Sequence, residues 1–286
     1  MRDLVTDDEV FVQAQMLRGA GPFTVIIVEG DSDSRTLDDH ISHQSARLVP
    51  SKSKTAAIKA ARLAERHGVD RIIALLDADF DSRLGTVEVN DLVAYTENYD
   101  LEADVFFLPR VAEKLVSAFV DEEVLSRVFA KPYKESAVAS IIRAAGIVGK
   151  IRLSSVVDEL GLSLRGLPFG SFISRSGDFD VDKLARIILS RSPNAQIELD
   201  QISLLVTELI ETYNEDQSLC CGHDLACAMS ALFGAWGSRM SSEFAENCIR
   251  LALSDGELPK LKIYHKINSI ASRWNGLIWR IDLLSE

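Results

Sequence analysis

Two short apolar runs, each ending in acid, constrain this chain more than any other feature. "FTVIIV", residues 23–28, is rich in β-branched side chains and lies between a Gly-Pro pair and Glu29-Gly30. "IIALL", residues 72–76, has the same character and ends at Asp77. Runs this short, with no polar alternation, read as strands buried on both faces, as in parallel sheets covered by helices. Acid continues past the first run, in "VIIVEGDSDSRTL". Carboxylates packed at a strand end repel one another, so a metal ion, a helix N-terminus or solvent must offset them.

The segments between these runs complete an alternating pattern. "SDSRTLDDHIS" predicts a helix, with Asp31 or Ser32 as its N-cap and Leu37 and Ile41 one turn apart. "ARLVP" predicts a brief strand. Residues 55–67 predict a strong helix, with Ala57, Ala60, Ala61 and Ala64 on one face, Lys59, Arg62 and Arg66 on another, and Gly68 closing it. "VNDLVAYTEN", residues 89–98, predicts one more strand. The expectation is a mostly parallel α/β sheet over residues 20–108, preceded by an N-terminal helical segment over 1–19. From Pro109 to residue 286 helical periodicity takes over, in "RVAEKLVSAFV", "EEVLSRVFA", "YKESAVASIIRAAGIV", "VDKLARIILSR", "LDQISLLVTELIETY", "DLACAMSALFGAW" and "SEFAENCIRLAL". That predicts a mainly helical C-terminal domain.

Ligands of parallel sheets collect at the carboxyl ends of the strands. Glu29, Asp77 and the "TENYDLEAD" segment all fall at such ends. Asp77 and Asp79 form an Asp-x-Asp pair, followed by Asp81; in extended chain, residues i and i+2 point the same way and could face one cation. Hard oxygen ligands converging from two strand ends suit Mg²⁺ or Mn²⁺, which would activate a water for phosphodiester displacement. Rival phosphate chemistries fit less well. A P-loop needs Gly-x-x-x-x-Gly-Lys-Ser/Thr, and "VPSKSKTA" has no glycine. A haloacid-dehalogenase-type phosphatase expects Thr or Val where Asp81 stands, and its pair follows the first strand. A phospho-receiver domain expects an acidic pair after strand one and a lysine after strand five; Lys114, the nearest candidate, lies in a predicted helix. A phosphotransferase of another α/β type stays open, as does a non-catalytic role in which the acids only sense a metal or nucleotide.

The 286 residues suffice for one large domain or two modest ones. The N-terminus shows no basic stretch followed by an apolar one, and no apolar run approaches the roughly 18–20 residues of a membrane span, so a cytoplasmic protein is expected. Cys220, Cys221, Cys227 and Cys248 make a poor disulfide framework, which suits a reducing compartment. The net charge of −12 argues against long-range attraction to nucleic acid. Two local basic stretches qualify that: Lys52, Lys54, Lys59, Arg62 and Arg66 in the first, and Lys260, Lys262, Lys266, Arg273 and Arg280 in the second.

"VIIVEGDSD" followed by "LLDADFD" resembles the TOPRIM domain shared by topoisomerases, bacterial primases and several nucleases. "VPSKSKTAAIKAA", "AYTENYDLEAD" and "CCGHDLACAMSALFGAWG" extend the resemblance to stand-alone bacterial TOPRIM-like effectors such as that of the PARIS anti-phage system. The resemblance implies a TOPRIM-like fold and a Mg²⁺-dependent endonuclease acting on RNA such as tRNA. It further implies an ABC-type ATPase partner that restrains a toxic effector until infection; a homodimer is compatible with it. By position, Glu29, Asp77 and Asp79 match the catalytic, metal-holding acids, Asp33 a secondary acid, and Asp100 and Glu102 the acids of the added "T-x-x-Y-D-x-E" segment. Asp81 is a further metal candidate. Because "PSKSK" lacks the glycine pair often found there, the weight of phosphate contact shifts to Lys52 and Lys54; Lys59 and Arg62 of the same basic stretch are further candidates for phosphate or nucleic-acid contact.

His223 and Asp224 sit at a predicted helix start, where they read as a cap and turn; the resemblance adds a functional or partner-contact role. Cys220, Cys221, His223 and Cys227 lack the paired Cys-x-x-Cys spacing of structural zinc sites, and Cys227 is expected on an apolar helix face. Trp236, Trp274 and Trp279 are expected in the core or an interface. His40, His43, His67 and His265 are scattered and receive no catalytic role.

Overall fold

The computed structural model describes residues 7–129 and 136–280. Residues 1–6 of the expected N-terminal helical segment, Ala130 at the end of "EEVLSRVFA" and residues 133–135 at the start of "YKESAVASIIRAAGIV" lie outside that range. The elements in chain order are α1 (Asp7–Gly19), β1 (Thr24–Val28), α2 (Asp31–Asp38), β2 (Ala46–Pro50), α3 (Lys54–Arg66), β3 (Ile72–Leu76), α4 (Asp81–Leu84) and β4 (Val93–Tyr95). They continue with α5 (Leu101–Phe106), α6 (Val111–Phe119), α7 (Glu122–Val128), α8 (Ala137–Val157), α9 (Val181–Arg191), α10 (Leu199–Glu211), α11 (Gly222–Ala235), α12 (Ser242–Leu251) and α13 (Lys262–Ala271). Two compact units result, Met1–Glu97 with Leu253–Glu286, and Asn98–Ala252. These bounds differ from the expected division after residue 108: residues 98–108 fall with the helical unit, and residues 253–280 fold with the sheet.

In the first unit four strands pair in the order β2-β1-β3-β4, all parallel. The central pair is set by Val25 opposite Ile72 and Ile27 opposite Ala74. Every residue of β1 and β3 is buried, as expected of strands covered on both faces. The alanine face of α3 is buried, including Ala57, Ala60, Ala61 and Ala64, and Ser53 caps the helix by accepting from the Ala56 N–H at 3.2 Å. α1 packs beside α3, with Phe11 stacked on His67 at 6.0 Å.

Two predicted elements are shorter than expected. The 89–98 run contributes only Val93–Tyr95 to the sheet, because the Asn90 side chain accepts from the Leu92 N–H at 2.7 Å and turns the chain before it. α2 stops at Asp38, which frees Ile41 to bridge Trp279 instead of extending the helix. Trp279 is buried and stacks on Tyr264 of α13 at 5.3 Å, and the Trp274 indole N–H donates to Thr24 Oγ1 at 3.2 Å.

In the second unit α8 packs against α10 and α11. Ile141, Ile147, Val148 and Ile151 on α8 are buried. The segment after α10 crosses this helix at two glycines. A Cβ at Gly149 would lie 1.8 Å from the Leu219 carbonyl oxygen, and one at Gly146 2.0 Å from the Tyr213 hydroxyl. Trp236 is buried, its indole N–H donating to the Arg175 carbonyl at 2.9 Å, in keeping with the core role expected of it. Among the described residues, no helix is long and apolar enough to cross a membrane.

Candidate functional site

The parallel pairing of β1 with β3 brings Glu29 beside Asp77. Glu29 Oε1 accepts from the Asp77 backbone N–H at 2.9 Å, closing the gap between the two strand ends. Burial pushes the Glu29 carboxyl up to about 7; the Asp77 N–H and the Lys54 charge oppose that rise, while Asp79 and Asp33 add to it. Glu29, Asp33, Lys54 and Asp79 therefore share one electrostatic environment. Asp33 is buried, and its Oδ2 accepts from the Gly30 N–H at 2.8 Å, the reach-back of a capping box. The N-cap is thus Gly30, in place of the expected Asp31 or Ser32. Asp31 is the exposed first residue of the helix.

The Asp-x-Asp geometry departs from expectation. β3 ends at Leu76, and Asp79 adopts a φ of 44°, so residues 77–79 turn instead of continuing as extended chain. The rule that i and i+2 share a face does not apply there. The turn is held by Thr96, buried at the end of β4, whose Oγ1 accepts from the Ala78 N–H at 2.8 Å. Sequence reasoning missed Thr96, although it begins the quoted "T-x-x-Y-D-x-E" segment. Asp79 and Asp81 turn towards Lys54, whose Nζ lies 2.7 Å from a carboxylate oxygen of each. Burial works against the Lys54 charge, but hydrogen bonds to the two aspartates outweigh it and raise its pKa.

Of the other basic candidates, Lys52 is exposed in the turn after β2 with a φ of 65°, so a lysine makes a left-handed turn of the kind that favours glycine. Ser51 is buried and donates to the Val28 and Ser53 carbonyls at 3.0 and 2.9 Å, anchoring that turn to β1. Lys59 pairs with Asp8 at 3.1 Å, and Arg62 makes a two-pronged pair with Glu88 at 2.8 and 2.5 Å. Both lie on the helix face expected of them, already matched with acids. Lys54 is drawn into the acidic rim.

Asp100, Glu102, His223 and Asp224 belong to the second unit, where two distant segments meet. Asp100 caps α5 by accepting from the Ala103 N–H at 2.8 Å, and its two oxygens accept from the Gly222 N–H at 3.0 and 2.8 Å. One carboxylate thus serves the first residues of two helices. Burial and the nearby Glu102 charge push Asp100 up, against these donors. Glu102 is buried and pairs with Arg250 Nε at 2.7 Å. Gly222 is required by close approach, since a Cβ there would lie 2.3 Å from Glu102 Cβ. Asp224 is fully buried and paired with Arg152, and the N-cap of α11 is Cys221 in place of the expected cap at His223 and Asp224. Burial also pushes the Cys220 and Cys221 thiols up.

The chain matches no protein-family model and no curated protein. What the acidic rim can hold is therefore decided by its chemistry. Among the described residues, no three His, Cys, Asp or Glu side chains are grouped closely enough to hold an ion. The donors are nonetheless carboxylates, and Mg²⁺ keeps several waters and is often bound through one or two protein carboxylates. Glu29 with one aspartate of the 77–79 turn meets that requirement. As the side chains stand, Lys54 supplies the positive charge that offsets Asp79 and Asp81.

Proposed function

We propose that this chain is a divalent-metal-dependent phosphodiesterase of TOPRIM type. Its substrate is nucleic acid, RNA such as tRNA in the first place, and its setting is the cytoplasm of a bacterium, as an anti-phage effector restrained by an ABC-type ATPase. The observation that carries the reading is the Glu29–Asp77 junction at the carboxyl ends of two adjacent, fully buried parallel strands. Glu29 with Asp77 or Asp79 would hold Mg²⁺ or Mn²⁺, the ion keeping several waters, while Asp33 caps α2 and Asp81 pairs with Lys54. When bound, the ion supplies Lewis acidity towards a phosphodiester and a more acidic water. Glu29 tethers the rim to the β3 end, Thr96 fixes the turn that presents Asp79, and Lys54 exchanges its aspartate partners for a phosphate oxygen.

The test is cleavage of RNA, tRNA and DNA by the full chain with Mg²⁺ or Mn²⁺. Wild-type protein is expected to cut RNA, and Glu29→Ala to lose cleavage while keeping its melting transition. Wild-type rates in Glu29→Ala would sink the assignment. Co-expression with a cognate ABC-type ATPase is expected to suppress toxicity.

A second reading, a non-catalytic subunit with a TOPRIM-like fold, is favoured by the Lys54 pairing, which balances Asp79 and Asp81 without a metal. It predicts no Mg²⁺ or Mn²⁺ binding by calorimetry and toxicity that persists in Asp77→Ala.

A further inference from the structure

α11 carries His223 and Cys227 one turn apart, and their side chains meet: Cys227 Sγ lies 3.6 Å from His223 Nε2. The other ring nitrogen, Nδ1, lies 2.5 Å from Glu246 Oε1 on α12. Glu246 is itself held from behind, its Oε2 accepting from Arg250 Nη2 at 3.3 Å, while Arg250 Nε is bound to Glu102. Sulfur, imidazole and carboxylate thus stand in line. The thiol and the carboxylate lie on opposite sides of the ring, so they do not converge on one point as metal ligands must. The order is that of a nucleophile, a base and the group that orients the base.

Cys227 also lines a cavity of about 280 Å³, with Leu167, Phe169, Ser230, Ala231 and Ser242 among its walls. The expectation that Cys227 is only part of an apolar face is corrected accordingly: it is part-exposed and polar on one side. A cavity of this size suits a small molecule. The contacts of His223 with Cys227 and then Glu246 raise the imidazole to about 10, which keeps a positive charge next to the sulfur.

We propose that Cys227, His223 and Glu246 form a nucleophilic thiol site that reacts with small peroxides entering this cavity. The reacting form is the thiolate beside the imidazolium. The Cys227 sulfur attacks one peroxide oxygen, forming the S–O bond as the O–O bond breaks; sulfur loses two electrons and the peroxide gains them. The imidazolium passes its proton to the departing hydroxide, so hydrogen peroxide yields one water and Cys227 sulfenic acid. Glu246 is a positioning residue: it holds the ring with Nε2 towards the sulfur.

The experiment treats the full chain with hydrogen peroxide at pH 7 in the presence of dimedone and follows each cysteine by mass spectrometry. Cys248, part-exposed on α12, is the internal comparison, and buried Cys220 and Cys221 report whether the unit stays folded. Cys227 is expected to be labelled at least about tenfold faster than Cys248, and His223→Gln to slow Cys227 by about tenfold without changing Cys248. If His223→Gln exposes Cys220 and Cys221, Glu246→Gln decides in its place, with the same slowing expected. Equal rates at Cys227 and Cys248, or a Cys227 rate unchanged in a folded variant, would overturn the proposal.

Discussion

Lys54 Nζ sits 2.7 Å from both Asp79 Oδ2 and Asp81 Oδ2, so one half-buried ammonium ties α3 to the turn after β3. It is the counter-charge that the acidic rim requires when no other cation is bound. Removing it leaves Asp79 beside Glu29 without the Lys54 charge, and Asp81 with the Thr86 hydroxyl that donates to its Oδ1 at 2.8 Å. Lys54→Met is expected to lower stability by about 1–3 kcal/mol in the presence of a chelator. Millimolar Mg²⁺ should restore more of the melting temperature in the variant than it adds to wild type, because the ion takes over the role of the lysine. Scanning calorimetry with and without Mg²⁺ checks this; equal responses in the two proteins would argue against a cation site at this rim.

Glu29 makes the metal-free protein pH-sensitive. Its carboxyl is raised from near 4.5 to about 7, chiefly by burial. A raised acid contributes stability that is fully present below the unfolded value and lost as pH climbs through the folded one. The loss therefore falls between pH 4.5 and 7. Glu29→Gln keeps an oxygen to accept the Asp77 N–H but has no proton to lose. Relative to wild type, the variant is expected to gain on the order of 1–2 kcal/mol between pH 5 and pH 8 in chelator. Urea titrations at the two pH values measure it.

Much of this was legible in the residues, and what was not has physical causes. The buried strands were readable because "VIIV" and "IIALL" have no polar alternation, and the α3 face because its alanines recur at helical spacing. The same periodicities place Glu29 and Asp77 at strand ends. The 77–79 turn was hidden because a positive φ at an aspartate leaves no mark on composition, and its support, Thr96, lies just past the end of another strand. The partner of Glu246 could not be read because α11 and α12 meet through tertiary packing. Cys227 and His223, at i and i+4, were visible as neighbours on one helix face. The return of α13 to the sheet was hidden too, since its helical pattern matches that of the segments before it.

Gly222 joins the two quoted segments of the second unit, and its absent side chain is what lets them touch. Alanine there would place a Cβ 2.3 Å from Glu102 Cβ and 2.9 Å from Asp100 Oδ1. The backbone must retreat, weakening the Asp100 bonds to the Gly222 N–H. Gly222→Ala is expected to cost about 2–3 kcal/mol, the range of an overpacked core. Chemical denaturation followed by tryptophan fluorescence reports it, and a loss below about 0.5 kcal/mol would mean that the helix start adapts freely.

Arg152 and Asp224 form a different kind of contact, a core ion pair incompletely satisfied. Asp224 is fully buried, and its Oδ1, like Arg152 Nη1, makes no hydrogen bond among the described residues. The pair is thus a costly arrangement whose halves depend on each other. Arg152→Met alone strands a buried carboxylate and is expected to cost about 3–5 kcal/mol. Asp224→Leu alone strands a mostly buried guanidinium and is expected to cost a similar amount. The double variant removes both charges and should recover most of the loss, with a coupling energy of several kcal/mol in the cycle. Denaturation midpoints for the four proteins measure that coupling. Additive losses would show that the two side chains act through separate packing and that charge compensation is not what holds α8 to α11.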